Sequence, residues 1–305
     1  MGSRRKTFRV LLNTLGPFFG LLLVVSIFSL SPEIRPYFLT GANLKTILLQ
    51  TVIVAIGALG MTMIIVSGGI DLSVGSVVAL TSVVCATLLM KQCSPLVAAA
   101  LTIMAGAAVG LLNGAIIAWL RMMPFIVTLG TMGIARGVAK SRWLADNQTV
   151  NAPDSVLNRL MEPGDPLHFL PLPAGVWIAI GSNESTARLC GIRVPLHKVA
   201  IYTVAGCFFG LAGLLQMARL TQGDPTVAIG LELDIIAAVV IGGASLSGGS
   251  GSILGSMIGA LIMAVLRNGS NQMSWPTYIQ EIIIGAVIIL AVALDRLRQT
   301  RPANT

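Results

Sequence analysis

The stretch Ser67-Gly-Gly-Ile-Asp-Leu-Ser-Val-Gly75 interrupts apolar sequence, with residues 53–66 before it and 77–90 after it. Glycine costs about 1 kcal/mol relative to alanine inside a helix, and serine and aspartate prefer helix ends to helix interiors. The stretch therefore predicts a break between two helices, at the end of a membrane or within it.

Asp71 is the acidic residue of this apolar region, and two roles are open for it. An ionisable group inside a membrane is expensive, which favours a substrate or coupling role. Alternatively, Asp71 or Ser73 caps the helix that starts at Val74 by accepting from its free N–H groups. The sequence favours the cap.

The composition indicates a membrane protein. Of 305 residues, 55% are hydrophobic and only 10% are charged, whereas soluble domains contain about 25% charged residues. The apolar runs are continuous rather than alternating, so helices and not a β-barrel are indicated. We therefore predict an all-α fold, a polytopic transmembrane helical bundle with interrupted helices, as a single transmembrane domain over residues 1–305.

The net charge of +8 does not indicate nucleic-acid binding. The basic residues lie mostly in short segments between apolar runs, as the positive-inside rule describes, and aromatic residues make up only 5%. Membrane lipid is the expected surrounding, and no nucleic acid is an expected partner.

Nine apolar segments are predicted to cross the membrane: 11–30, 44–66, 74–90, 96–120, 125–139, 199–218, 235–241, 253–266 and 278–294. Both tails are basic and should be cytoplasmic, which requires an even number of crossings. The count is odd. The junction that lacks a span is at residues 174–181, where seven apolar residues are too few to cross about 30 Å of hydrocarbon.

The first helix break has an internal echo, because Gly68-Gly-Ile-Asp-Leu-Ser73 recurs as Gly242-Gly-Ala-Ser-Leu-Ser247. Matched helix interruptions in two halves of a chain are typical of a transporter pathway. We therefore predict a pathway or helix-break role for these residues: Gly68, Gly69, Asp71, Ser73, Gly242, Gly243, Ser245 and Ser247.

The segment 96–120 carries glycines at positions 106, 110 and 114, which predicts a close helix contact along one face. Asn113 is a polar residue on the same segment. It either bonds a neighbouring helix or lines a polar path.

A polar segment, Gly181-Ser-Asn-Glu-Ser-Thr-Ala-Arg-Leu-Cys-Gly-Ile192, precedes the span 199–218. Asn183 or Ser182 can cap a short helix and Gly191 can end it. The residues themselves leave two interpretations open, an amphipathic turn between helices or a short helix offered to a cytoplasmic partner. No Ser/His/Asp set, metal-binding spacing or GxxxxGK[ST] loop occurs, so we predict neither an enzyme nor a bound metal or cofactor.

Several motifs together resemble the ribose-type carbohydrate permease subunits of bacterial ABC importers. They are the first break, Leu112-Asn-Gly114, Pro124-Phe-Ile-Val-Thr-Leu-Gly-Thr131 with Ile134-Ala-Arg-Gly137, the Gly181–Ile192 pattern, and Asp234-Ile-Ile-Ala-Ala-Val-Val-Ile-Gly-Gly-Ala-Ser-Leu-Ser-Gly-Gly249. The resemblance covers residues from about 43 to 296.

The resemblance implies a bacterial inner-membrane, multi-pass permease that moves a monosaccharide. The implied partners are a cytoplasmic ATP-binding subunit, a periplasmic sugar-binding protein and a second permease copy or paralogue. It also implies that residues 181–194 are a cytoplasmic coupling segment that docks on the ATPase, and it adds Asn113 and Phe125 to the pathway residues. The implied coupling residues are Gly181, Asn183, Glu184, Ala187, Arg188, Gly191 and Ile192.

The chain departs from the family pattern in one place. Members have a span between the proline-rich external loop and the coupling segment, ten spans in all, whereas here Trp177 runs almost directly into Gly181. The odd number of predicted spans and the family pattern thus both indicate that a crossing is absent at this junction. Two alternatives stay open: an ion-coupled secondary transporter, for which only Asp71 is a candidate charge, and a transport-defective membrane paralogue lacking one span.

Overall fold

The computed structural model of the chain describes residues 2–161 and 194–299. The described part is almost entirely helical, which confirms the all-α prediction. Its ten α-helices are α1 Gly2–Leu30, α2 Arg35–Phe38, α3 Gly41–Val66, α4 Val74–Met90, α5 Pro95–Trp119, α6 Pro124–Lys140, α7 Val194–Leu220, α8 Leu231–Ile241, α9 Ile253–Gln272 and α10 Thr277–Gln299. Strands β1 Val150–Asn151 and β2 Gln222–Gly223 pair antiparallel, and a 3₁₀ turn covers Asn158–Met161.

Four of the described helices are long and apolar enough to cross a membrane, namely α3, α5, α9 and the part of α7 from Pro195. Shorter apolar helical stretches are Gly16–Leu30, Val74–Met90 and Thr277–Leu290. Helix α3 is the buried centre and contacts α7, α8 and α9. Helix α5 presents most of its side chains outward, where apolar residues suit lipid.

Most predicted span limits agree with the helices, and α4 agrees at both ends. The predicted span 253–266 ends too early, because α9 continues to Gln272. Polar residues at its end have buried partners: Arg267 binds Asp234 of α8, and the Asn268 amide donates to Asn43 of α3 at 2.9 Å. Helix α8 likewise begins at Leu231 rather than at 235.

The glycines of α5 pack against α7, as the sequence predicts. A Cβ atom on Gly106 would collide with Gly210 of α7, and one on Gly114 would lie 2.8 Å from the Cα of Val199. Since higher numbers on α5 meet lower numbers on α7, the two helices run antiparallel. Backbone approach of this kind supplies the packing that drives helix association in lipid.

The directions of the helices define two ends of the bundle. Helix α1, which follows the basic N-terminus, runs parallel to α9, since Gly20 lies near Ile262 and Phe28 near Gly269. Helix α9 starts directly after the second helix break. The positive-inside rule therefore makes the end with the breaks the inner, cytoplasmic end.

Helices α6 and α7 point the same way, although they are successive in the described chain. Thr128, near the start of α6, bonds the first break at Leu72, while β1, which follows α6, pairs with β2, which follows α7. Both helices thus run from the inner end to the outer end. Residues 162–193, which lie between the two helices and include the junction at 174–181, are outside the described residues.

This topology predicts the exposure of two engineered cysteines in a cysteine-free background. In right-side-out vesicles, a membrane-impermeant maleimide is expected to label Asn147→Cys, which lies after α6, and to leave Leu196→Cys unlabelled. After permeabilisation, both should react. Labelling of Leu196→Cys in sealed vesicles would show that α7 starts at the outer end and would contradict the parallel arrangement.

Candidate functional site

The first break begins with a tight helix end at Gly68. Its φ of 80° is in the left-handed region, where glycine is favoured. The N–H groups of Gly68 and Gly69 donate to the carbonyls of Ile65 and Ile64, both at 2.9 Å, which is the Schellman pattern of a helix C-terminus. The chain then continues without helix to Ser73.

Asp71 is the centre of a buried polar network. It is 1% exposed, and its Oδ1 accepts from the backbone N–H of Ser73 at 2.7 Å and from its hydroxyl at 2.6 Å. The amide of Asn113 donates to the Ser73 hydroxyl at 3.2 Å and reaches Asp71 Oδ2 at 3.5 Å. Thr131 of α6 donates to Asn113 Oδ1 at 2.6 Å. The network thus joins the break to α5 and α6.

The predicted helix cap is wrong. Ser73 is the N-cap residue of α4, but its side chain makes no capping hydrogen bond to the first turn. The Asp71 carboxylate instead accepts from the N–H of the N-cap residue Ser73, two positions further on, which forms an Asx turn. Of the two roles predicted for Asn113, the structure shows the bond to neighbouring segments.

The second break repeats the chemistry of the first. Gly243 has a φ of 92°, and the N–H groups of Gly243 and Ala244 donate to Val240 and Val239 in the same Schellman pattern. The Ser245 hydroxyl then accepts from the N–H of Ser247 at 3.3 Å. Ser245 therefore takes the place in its turn that Asp71 takes in the first break, as the sequence echo aligns them.

The two breaks touch at the inner end of the bundle. The N–H of Gly249 donates to the carbonyl of Val66 at 2.9 Å, so the second break binds one of the free carbonyls at the end of α3. Gly248 packs on Gly68, where an added Cβ would lie 3.1 Å from the Gly68 Cα. Nearby, Thr62 and Ser256 share a buried hydrogen bond of 2.8 Å.

The structure brings most of the predicted pathway residues together and leaves one apart. Phe125 is 52% exposed at the start of α6 and contributes only its carbonyl, which accepts from the Thr128 hydroxyl. Gly243 and Ser247 belong to the second break but face outward. The seven predicted coupling residues, 181–192, lie outside the described residues.

Beyond Phe125, sequence reasoning missed the contacts that α6 makes. Thr128 accepts from the N–H of Leu72 at 3.1 Å, and the Arg136 guanidinium donates to the carbonyls of Pro225 and Val227 at 3.0 and 2.6 Å. Thr128 and Thr131 are three residues apart on one face of α6 and lie towards the bundle, so two polar residues on one face of a short span were the available signal. Tyr202, whose hydroxyl is buried beside Gly69, carried no such signal.

Comparison with known proteins identifies the family of the chain. A family model described as "Branched-chain amino acid transport system / permease component" matches residues 43–159 and 173–292. The chain belongs to this permease family. Both breaks lie within the matched residues, together with all of the flanking helices except the first two residues of α3. Members of the family are membrane components of transport systems rather than enzymes, and the bacterial relatives are inner-membrane proteins, which confirms the predicted localisation.

Individual relatives are similar over nearly their whole length. The chain is 39% identical to the ribose import permease protein of Escherichia coli, with 92% of each chain covered, and 37% identical to that of Bacillus subtilis, with 96% of each covered. It is 35% identical to the D-allose transport system permease protein of Escherichia coli, over 97% of this chain and 96% of the relative. These matches confirm the predicted resemblance. No solved structure matches the chain.

The alignment lengths bear on the absent span. The alignment with the Escherichia coli ribose permease runs over 305 positions, yet it covers only 92% of the 305 residues of this chain. About 281 residues of this chain (92% of 305) therefore occupy 305 alignment positions, which leaves about 24 positions without a residue of this chain. That number is close to the length of one membrane helix, about 20 residues, and it agrees with the odd span count.

Proposed function

We propose that this permease is the transmembrane subunit of an ABC importer that carries a neutral monosaccharide inward. The observation that carries the proposal is the similarity to relatives named for ribose and D-allose transport, which extends over more than nine-tenths of both chains. The proposed partners are a cytoplasmic ATP-binding subunit, a periplasmic sugar-binding protein and a second permease copy or paralogue.

The packing suits a permease that changes shape by rocking its helices. Both breaks lie at the inner end and touch through Gly248 and Gly249, so a movement of α8 and α9 reaches α3 through a backbone hydrogen bond. The network around Asp71 ties the same region to α5 and α6. In this proposal the breaks transmit motion, and Asp71 shapes the turn.

Uptake into proteoliposomes that contain the permease, its ATPase and its binding protein tests the proposal. We expect ATP-dependent accumulation of at least one of D-ribose, D-allose, L-arabinose and D-galactose. Leucine serves as the competing substrate, because the family description names branched-chain amino acids. Accumulation of leucine with none of the four sugars would overturn the assignment.

Arg188→Glu tests the proposed coupling segment. A reversed charge in the docking segment should weaken its binding to the ATPase, so we expect sugar-stimulated ATPase activity to fall more than tenfold while membrane insertion is unchanged. Arg142→Glu, an exposed charge reversal after α6, is the matched control and should keep its activity. If Arg188→Glu couples as well as the unchanged protein, residues 181–194 do not dock the ATPase.

An ion-coupled secondary transporter is the second candidate. Such a mechanism needs titrating groups that exchange partners inside the membrane. Asp71 accepts hydrogen bonds from the uncharged Ser73 and Asn113, so the pair of the buried Asp234 with Arg267 is the group that could serve. Uptake that continues without ATP and stops with a protonophore would favour this candidate over the importer.

A further inference from the structure

A cavity of about 240 Å³ lies in the outer half of the bundle, between α3, α7, α8 and α9. It is separate from the two breaks, which lie at the inner end. Apolar side chains such as Ile53 and Met263 form part of its wall. Its polar lining comes from Gln50, Gln216, Arg219, Asp234, Arg267 and Asn271.

Asp234 is the buried anchor of this cavity. Its side chain is 2% exposed, and one carboxylate oxygen, Oδ2, accepts from Arg267 Nε. The other oxygen, Oδ1, is buried and has no hydrogen-bond partner among the described residues. The Oε1 atom of Gln50 is likewise buried without a hydrogen-bond partner among the described residues. Buried acceptors of this kind cost free energy until a donor reaches them.

The lining offers both donors and acceptors. Arg219, Arg267 and the side-chain amides can donate, while Asp234 Oδ1 and Gln50 Oε1 can accept. Arg267 is paired with Asp234, so this pair leaves no net charge for an ion to neutralise. A hydroxyl group both donates and accepts, so a neutral ligand with several hydroxyls matches the whole lining.

The size of the cavity agrees with a small ligand. Pockets for drug-sized molecules span about 300–1,000 Å³, and this cavity is slightly smaller. A single sugar ring is smaller than a drug-sized molecule. We infer that the cavity is a binding subsite for one neutral monosaccharide on the outer half of the permease, held by Asp234, Gln216 and Gln50. The inference rests on the proposed function and locates its substrate.

Gln216→Leu tests the subsite through transport. Gln216 is 8% exposed, so leucine keeps the approximate volume and removes the hydrogen-bonding atoms. For the sugar that the unchanged importer accumulates, we expect uptake per unit of sugar-loaded binding protein to fall roughly tenfold, the effect of one lost hydrogen bond of ordinary strength. Gln148→Leu, on an exposed loop after α6, is the matched control and should transport normally.

Direct binding separates this inference from the proposed function. Saturation-transfer NMR on the full-length permease in nanodiscs, with D-ribose, D-allose, L-arabinose and D-galactose in turn, should give signals that Gln216→Leu weakens and Gln148→Leu preserves. The double variant Asp234→Asn with Arg267→Gln keeps a hydrogen-bonding pair without charge and should also weaken them. Transport without any such signal, or signals unchanged in both cavity variants, would overturn the subsite and leave the importer intact. Absence of sugar uptake by the unchanged importer would instead overturn the proposed function.

Discussion

Replacing Gly110 by leucine is expected to prevent formation of the folded permease. A Cβ atom at this position would lie 2.9 Å from the carbonyl carbon of Tyr202 and 3.1 Å from the Cα of Gly206. Backbone atoms of α7 cannot turn aside as a side chain can, so the two helices would have to separate. We expect a destabilisation of at least about 3 kcal/mol, at the upper end of overpacking effects.

The measurement is the fraction of monodisperse protein after detergent extraction, together with its thermal unfolding temperature. Gly130→Leu is the matched control, because no atom lies within 4 Å of a Cβ at this position of α6. It should be neutral or slightly stabilising, since leucine has a higher helix propensity than glycine. If Gly110→Leu and Gly130→Leu unfold alike, α5 and α7 do not meet at backbone distance.

Replacing Asp71 by alanine is expected to abolish transport and to lower stability. The change leaves the N–H and the hydroxyl of Ser73 without their buried acceptor, and the Asn113 amide keeps only the Ser73 hydroxyl as a partner. Each buried donor without a partner costs about 1–3 kcal/mol, so the turn between α3 and α4 should lose its shape. We expect sugar uptake below a tenth of that of the unchanged protein.

A swapped pair tests whether geometry or charge position matters at this network. In Asp71→Asn with Asn113→Asp, the new amide can donate to the new carboxylate, and Thr131 can still donate to residue 113. If Asp71 acts by shaping the turn, the swapped pair should transport better than Asp71→Ala and better than either single change. Asp154→Ala, on an exposed loop, controls for loss of an acidic residue. A swapped pair as inactive as Asp71→Ala would show that the position of the charge is required.

The sequence predicted those features that depend on neighbours in the chain. The limits of α4, the break at Gly68 and the glycine contact face of α5 follow from local composition and spacing. The echo between the breaks also emerged from the chain itself, and the structure shows the matching turns at Asp71 and Ser245.

The features that escaped prediction depend on distant partners. Helix α9 continues past Leu266 because Asp234 neutralises Arg267 and Asn43 binds Asn268, and no local pattern reveals either contact. The cap predicted at Asp71 was wrong because Asn113 and Ser73 together occupy its oxygens. The cavity needs four helices to form, so its polar residues stand far apart in the sequence.

The parallel directions of α6 and α7 have a consequence for how such a chain changes during evolution. Gain or loss of one crossing inverts the orientation of every later segment, because each of them then faces the opposite compartment. Here α3 and α8 both run from the outer end to the inner end, and α4 and α9 both run back outward. The two breaks therefore lie in the same leaflet. The relation between the two halves is thus one of parallel repeats about an axis along the membrane normal. Loss of one crossing before α8 would instead place the second break in the leaflet opposite to the first.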